Sequence, residues 1–310
     1  MITSVFSKSR PINYILITFL LVLYFLIYQL QTQSSAISWF EIAKIGLYLV
    51  LLIGSLYVTN FITKRNGLSK DNSFTFLLFF IFLILFPKTL SNGALIISNT
   101  FILLALRRLI SLQSLIIPKE KIFDASIWIF TASLFNFWCI LFILLVYISI
   151  ILDVSRDYRN WLIPIIAFFV VLIIAIMGVL IFHFTTFNDY FNTILIDYDL
   201  KYIKTIFQNL AMVIYIITAL FAFFAMLYIL PKKLSNFHHS YQKIIFCFII
   251  GLIVFFISPN KDNSMLIYTF VPVSIMLTNY LETIEKYWLK ESIVGIIITA
   301  SVITFILQLL

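Results

Sequence analysis

The residues best suited to chemistry in this chain lie between Leu90 and Pro164, where ionisable side chains interrupt long apolar runs. Arg107 and Arg108 close a run that carries Asn99 and Thr100, and Asp153, Arg156, Asp157, Arg159 and Asn160 close the next. A charge at bilayer depth costs about 2.5–3.5 kcal/mol on insertion scales, so each such group sits at the interface or faces a partner or a wet cavity. An arginine pair at the end of a span can grip a phosphate bidentately, as a polyprenyl phosphate or a phospholipid headgroup requires. More often such a pair is a positive anchor ending a helix. The Asp153 to Asn160 cluster can activate an acceptor or bind a metal, but its alternating signs point to internal pairing in a solvated loop, which stabilises little.

The other chemistry-bearing residues are few. His183, His238 and His239 are the only histidines, too few for a membrane di-iron oxygenase, and the adjacent pair diverges by about 100° on a helix, which suits it poorly to chelation. They read as interfacial histidines, the pair in a basic loop. Cys139 and Cys247 each lie inside an apolar run without C-x-x-C spacing, which excludes a disulfide framework or zinc ribbon. No G-x-x-x-x-G-K, H-E-x-x-H or G-x-S-x-G occurs, so the sequence predicts no metal, no cofactor and no nucleotide hydrolysis. Asn99 and Asn136 inside apolar runs fit helix-to-helix hydrogen bonds.

The elements that hold these residues follow from composition. With 63% hydrophobic residues, 11% charged and a mean hydropathy of +1.09, the chain lacks the polar surface to coat a water-soluble globule of 310 residues. Its apolar runs are continuous rather than alternating, which predicts helices and excludes an outer-membrane barrel. The net charge of +8 is dispersed between runs without a basic tract, so it fits membrane lipids and not nucleic acid. Fold class is therefore all-α, a polytopic transmembrane bundle in a single integral membrane domain over 1–310.

In chain order, a first span runs from about Ile12 to Tyr28 and a second from about Ala43 to Phe61. A third, about Phe74 to Phe86, is short for the roughly 20 residues that crossing takes. The fourth runs from Ala94 towards Ile110, followed by an interfacial stretch ended by Pro118. The fifth, about Ile127 to Leu152, and the sixth, about Trp161 to Phe184, complete the block 1–185. Between 186 and 207, Tyr190, Ile194, Tyr198, Tyr202 and Ile206 recur at helical spacing beside Asp189, Asp197 and Asp199, predicting an amphipathic interfacial helix. The block 208–310 adds spans at about Leu210 to Leu230, Ile244 to Ile257, Met265 to Tyr280 and Ile293 to Leu309, the ninth with Pro272 and open to a re-entrant reading. Nine to ten spans result.

Lys8, Arg10, Lys64, Arg65 and Lys70 then act as topology anchors that place the N-terminus in the cytoplasm. On this threading Arg107 and Arg108 share their side, while Arg156 and Arg159 lie opposite. The asymmetry reverses in the second half, where Lys232, Lys233, Lys243, Lys286 and Lys290 fall on the outer side.

The segments SVFSKSRPINYILI, SNTFILLALRRLISLQS with KIFDASIWIFTASLFNFW, and DYRNWLIPIIAFF resemble an uncharacterised family of multi-pass inner-membrane proteins of flavobacteria and other Bacteroidota. Some of its members carry the label beta-carotene monooxygenase, which the three histidines of this chain argue against. The resemblance implies a location in the bacterial envelope and a shape, not an activity. The run ending in Arg107 and Arg108, a short loop and a long apolar helix are also similar to the middle of polyprenyl-phosphate-dependent glycosyltransferases. Those enzymes carry an acidic residue in the first external loop, where this chain has Glu41 and no Asp. Two functional classes follow: a non-catalytic subunit or scaffold assembling with other membrane-protein subunits, or a transferase or transporter of a lipid-linked or anionic substrate.

Overall fold

The computed structural model describes residues 2–32, 38–182, 194, 206–259 and 262–309. Twelve α-helices, and no strand, occur among the described residues: α1 Ile2–Phe6, α2 Pro11–Thr32, α3 Trp39–Arg65, α4 Phe74–Leu85, α5 Gly93–Ile110, α6 Pro118–Phe135, α7 Ile143–Asp153, α8 Arg159–Phe182, α9 Ile206–Ile229, α10 Ser235–Ile257, α11 Ile267–Thr283 and α12 Tyr287–Leu309. Eight segments are long and apolar enough to cross a membrane; they comprise α2, α3, α5 and α8 to α12. The expected interfacial helix of 187–207 falls outside the described residues, apart from Ile194 and the start of α9 at Ile206.

The helices gather in two compact units, one of 1–96, 203–233 and 262–310, the other of 97–202 and 234–261. In the first unit α4 is the centre: every residue but Ile84 is buried, and α11 packs along it. A helix apolar on all sides belongs inside a bundle rather than at its surface. Phe82, Tyr215 and Phe270 meet edge to face or tilted at 5.2 to 5.9 Å, and the buried Tyr215 hydroxyl lies 2.6 Å from Thr269 Oγ1. Such pairs add about 0.5–1.5 kcal/mol beyond burial.

The short third span traverses this unit because a 3-10 turn extends it. Twelve residues of α4 rise about 18 Å, and the four of Pro87–Leu90 add about 8 Å. At one end Ser73 receives the Asn13 amide at 3.2 Å; at the other the Leu90 carbonyl receives that of Gln29 at 3.5 Å. The helix α11 is continuous through Pro272 and not re-entrant. Before its start Asn263 donates to the Gln208 carbonyl, and near its finish Asn279 donates to Leu68 O, both at 3.0 Å.

Charge sorts cleanly between the ends of this unit. Lys8, Arg10, Lys64, Arg65, Lys70, Lys232, Lys233, Lys286 and Lys290 lie at the end marked by the Thr3–Glu291 and Lys70–Glu282 hydrogen bonds. Burial, together with the nearby Lys70 charge, holds Lys233 below the ordinary lysine range against the opposing pull of Glu282. Lys44 starts α3 at the opposite end, where Lys88 pairs with Asp262 at 3.6 Å. The expected reversal of the charge bias is thus absent among the described residues of this unit.

The second unit also departs from the expected threading. The expected fifth span, Ile127 to Leu152, is not one helix. Asn136 takes an extended conformation (φ −140°, ψ 108°) that ends α6, and the 3-10 turn Phe137–Phe142 leads into α7. Eighteen residues of α6 rise about 27 Å and the returning limb of turn and α7 about the same, so the stretch is an antiparallel pair. This extra limb returns the chain to the end of the unit at which α6 begins, where Lys119 meets Asp157. Phe130 of α6 packs with Ala167 and Val171 of α8.

Candidate functional site

The C-terminal ends of α5 and α7 meet the first turns of α10 in the second unit. Pro118 opens α6 at its first helical position instead of ending a helix, after a 3-10 turn at Ser111–Ser114 and two left-handed residues, Leu115 (φ 55°) and Ile117 (φ 46°). A left-handed conformation at a non-glycine residue costs about 1–2 kcal/mol. Here it turns the chain sharply back beside α5. Lys121 anchors the turn, donating to Ser111 O and Ser114 Oγ, each at 2.7 Å.

This geometry places the two sequence-predicted clusters at one end of the unit, not on opposite membrane faces. Arg108 pairs with Asp124 at 2.8 Å, and Lys119 with Asp157 at 3.3 Å. Asp157 also accepts the Arg159 backbone N–H at 3.0 Å, which caps the start of α8. That hydrogen bond first, then Lys119 and Arg159, holds its carboxyl below the usual aspartate range. Asn160 is buried and donates to Val154 O at 3.0 Å. Arg107 also engages neighbouring groups; Arg156 lies in the turn after α7. The topology anchors Lys8, Arg10, Lys64, Arg65 and Lys70 belong to the first unit.

Asp153 does not belong to a solvated loop. Its side chain is 2% exposed, and its Oδ2 accepts from the ammonium of Lys243, which is wholly buried in α10 and also donates to the Leu109 carbonyl at 2.7 Å. Its Oδ1 lies 3.0 Å from Nδ1 of His239, one helical turn before Lys243 and about half exposed. The i, i+4 spacing of His239 and Lys243 puts both on one face of α10, so a single carboxylate engages both. A buried charge pair of this kind is retained only when hydrogen bonds satisfy both partners.

Sequence reasoning missed Lys243 and set His239 aside. It began the span at Ile244, after the last charge, and put the histidines in a loop. The helix in fact starts at Ser235. The available signal was the i, i+4 pair of basic groups before a strong apolar run.

An open cleft of about 440 Å³ lies beside this triad, lined by Gln113, Leu115, Leu152, Asp153, Ser235, Asn236 and His239. Ser240, buried on α10, donates to Gln113 Oε1 at 2.7 Å. No group of three or more His, Cys, Asp or Glu side chains suited to a metal occurs among the described residues. Glu41, in the first turn of α3, is occupied in a capping box: it accepts the Ser38 N–H at 3.0 Å and donates its own N–H to Ser38 Oγ at 3.3 Å.

Among known protein families, the model of a family of unknown function, DUF6427, matches residues 1–310. No curated protein and no solved structure matches the chain.

Proposed function

We propose, from the premise that the chain belongs to this family of unknown function, that it is a non-catalytic subunit or scaffold of a bacterial envelope assembly. It acts as one integral domain of the inner membrane with a cytoplasmic N-terminus. The observation behind this is that three of the cations of the candidate site are spent on its own carboxylates. Arg108 engages Asp124, Lys119 engages Asp157, and Lys243 engages Asp153. A site built to clamp an anionic substrate keeps its cations uncompensated. The cytoplasmic N-terminus rests on the basic end of each unit, since Lys and Arg collect in cytoplasmic loops.

Cross-linking in intact membranes before detergent is added tests the assembly. The expected result is a defined species larger than the 36.2 kDa chain. A monomer throughout, with turnover of a polyprenyl-phosphate sugar that Arg107→Ala abolishes at unchanged abundance, overturns it.

The competing reading is a transferase or transporter of a lipid-linked or anionic substrate. It is favoured by the partial exposure of Arg108, 42% of its side chain, which leaves the guanidinium within reach of a headgroup. Arg108→Ala that lowers turnover without lowering abundance supports this second reading over the first.

A further inference from the structure

Two of the polar groups that line the cleft, His239 and Gln113, are each held by a buried side chain. Asp153 accepts from Lys243 and faces Nδ1 of His239, so Nδ1–H is the donor of that contact, and the uncharged ring of this tautomer has its lone pair on Nε2. Ser240 occupies the oxygen of Gln113, which leaves the amide NH2 as the group Gln113 can offer. One oriented acceptor and one oriented donor therefore line the same cleft. Leu115 and Leu152 supply its apolar wall.

The charge of Asp153 is compensated from within by Lys243. The volume, about 440 Å³, lies in the range of small-ligand sites. An ionic ligand finds no uncompensated countercharge in the triad. A hydroxyl beside a second hydroxyl gives to the imidazole and accepts from the amide, while the C–H face between them rests on leucine.

We propose that this cleft is a binding site for a sugar-like polyol, with His239 Nε2 as hydrogen-bond acceptor, Gln113 Nε2 as donor and Asp153 as the residue positioning the histidine. The polyol is either a free sugar or the headgroup of a glycolipid. The site goes beyond the assembly role proposed above and holds whether or not the chain has partners.

Diethyl pyrocarbonate, which acylates accessible imidazole nitrogen, reads the site when the labelling rate of His239 is followed by peptide mass spectrometry on the full chain. The rate is measured in bilayers of phosphatidylethanolamine alone, with free glucose added, and with a monoglucosyl diacylglycerol in the bilayer. His239 is expected to label readily in plain bilayers and to be slowed at least threefold by one of the two additions. Slowing by glucose identifies a free sugar as sufficient; slowing by the glycolipid alone identifies a headgroup. Gln113→Ala should keep the labelling and lose the protection. An unlabelled His239, no slowing by either addition, or protection that survives Gln113→Ala overturns the site. Each readout is independent of oligomeric state, so failure here is distinct from failure of the assembly.

Discussion

Lys119 Nζ stands 3.3 Å from Asp157 Oδ2, which joins the start of α6 to the turn that precedes α8. That contact requires the chain between them to go out and come back. Lys119→Cys and Asp157→Cys introduced together should therefore be bridged by a short bis-maleimide of about lysine reach, and each alone should label from the same membrane face. Cys139 and Cys247 are buried and give little background. Labelling from opposite faces would restore the single continuous span.

Removing the ammonium of Lys243 leaves the Asp153 carboxylate buried with His239 alone. Breaking one side of a buried pair costs about 3–5 kcal/mol. Lys243→Met should lower Tm in detergent by several degrees, and adding Asp153→Leu should recover most of the loss. A double variant no better than the single one would show that the pair is not what ties α7 to α10.

Arg108 and Asp124 are close but both are partly exposed, at 42% and 33% of their side chains. Exposed pairs contribute about 0.2–1 kcal/mol, and solvent screening puts this one towards the lower figure. Arg108→Ala should leave Tm within experimental scatter, measured beside Lys243→Met in the same detergent.

Gly93 admits the Tyr48 hydroxyl so closely that an added Cβ would lie 1.9 Å from it. Gly93→Ala must push α3 away from the start of α5 or rotate the tyrosine. Lower Tm is expected for Gly93→Ala, with partial rescue by Tyr48→Ala, read by thermal unfolding of the purified protein.

Asp157 titrates below its ordinary value of 3.8 because the Arg159 N–H and Lys119 favour the carboxylate. A group with a depressed folded value adds stability above its unfolded value and loses it as pH falls through the folded one. Acidification from about pH 4 downwards should loosen the start of α8. Asp157→Ala should remove that part of the acid sensitivity, as followed by hydrogen exchange at Asn160 and Trp161.

The helical bundle is legible in composition alone, and the shortness of α4 is plain in the distance from Ser73 to Pro87. The break at Asn136 is not, since no glycine or proline interrupts the run from Ile127 to Leu152. An apolar pattern records where lipid or core lies, not where the backbone reverses. Lys243 stayed hidden for a different reason. Its carboxylate partner is 90 positions away in sequence, and its other acceptor is a backbone carbonyl that carries no sequence signal. Reading a span as ending at its last charge fails wherever a distant side chain meets that charge.

The sheath around α4 also sets an order of manufacture. Ribosomes deliver α4 early, but α11, which lies along it, emerges nearly two hundred residues later. Until then the twelve-residue segment is too short to rest comfortably in hydrocarbon unaided. A nascent chain halted before Ile267 lacks its covering, and quality-control proteases should clear such truncations far faster than the finished protein.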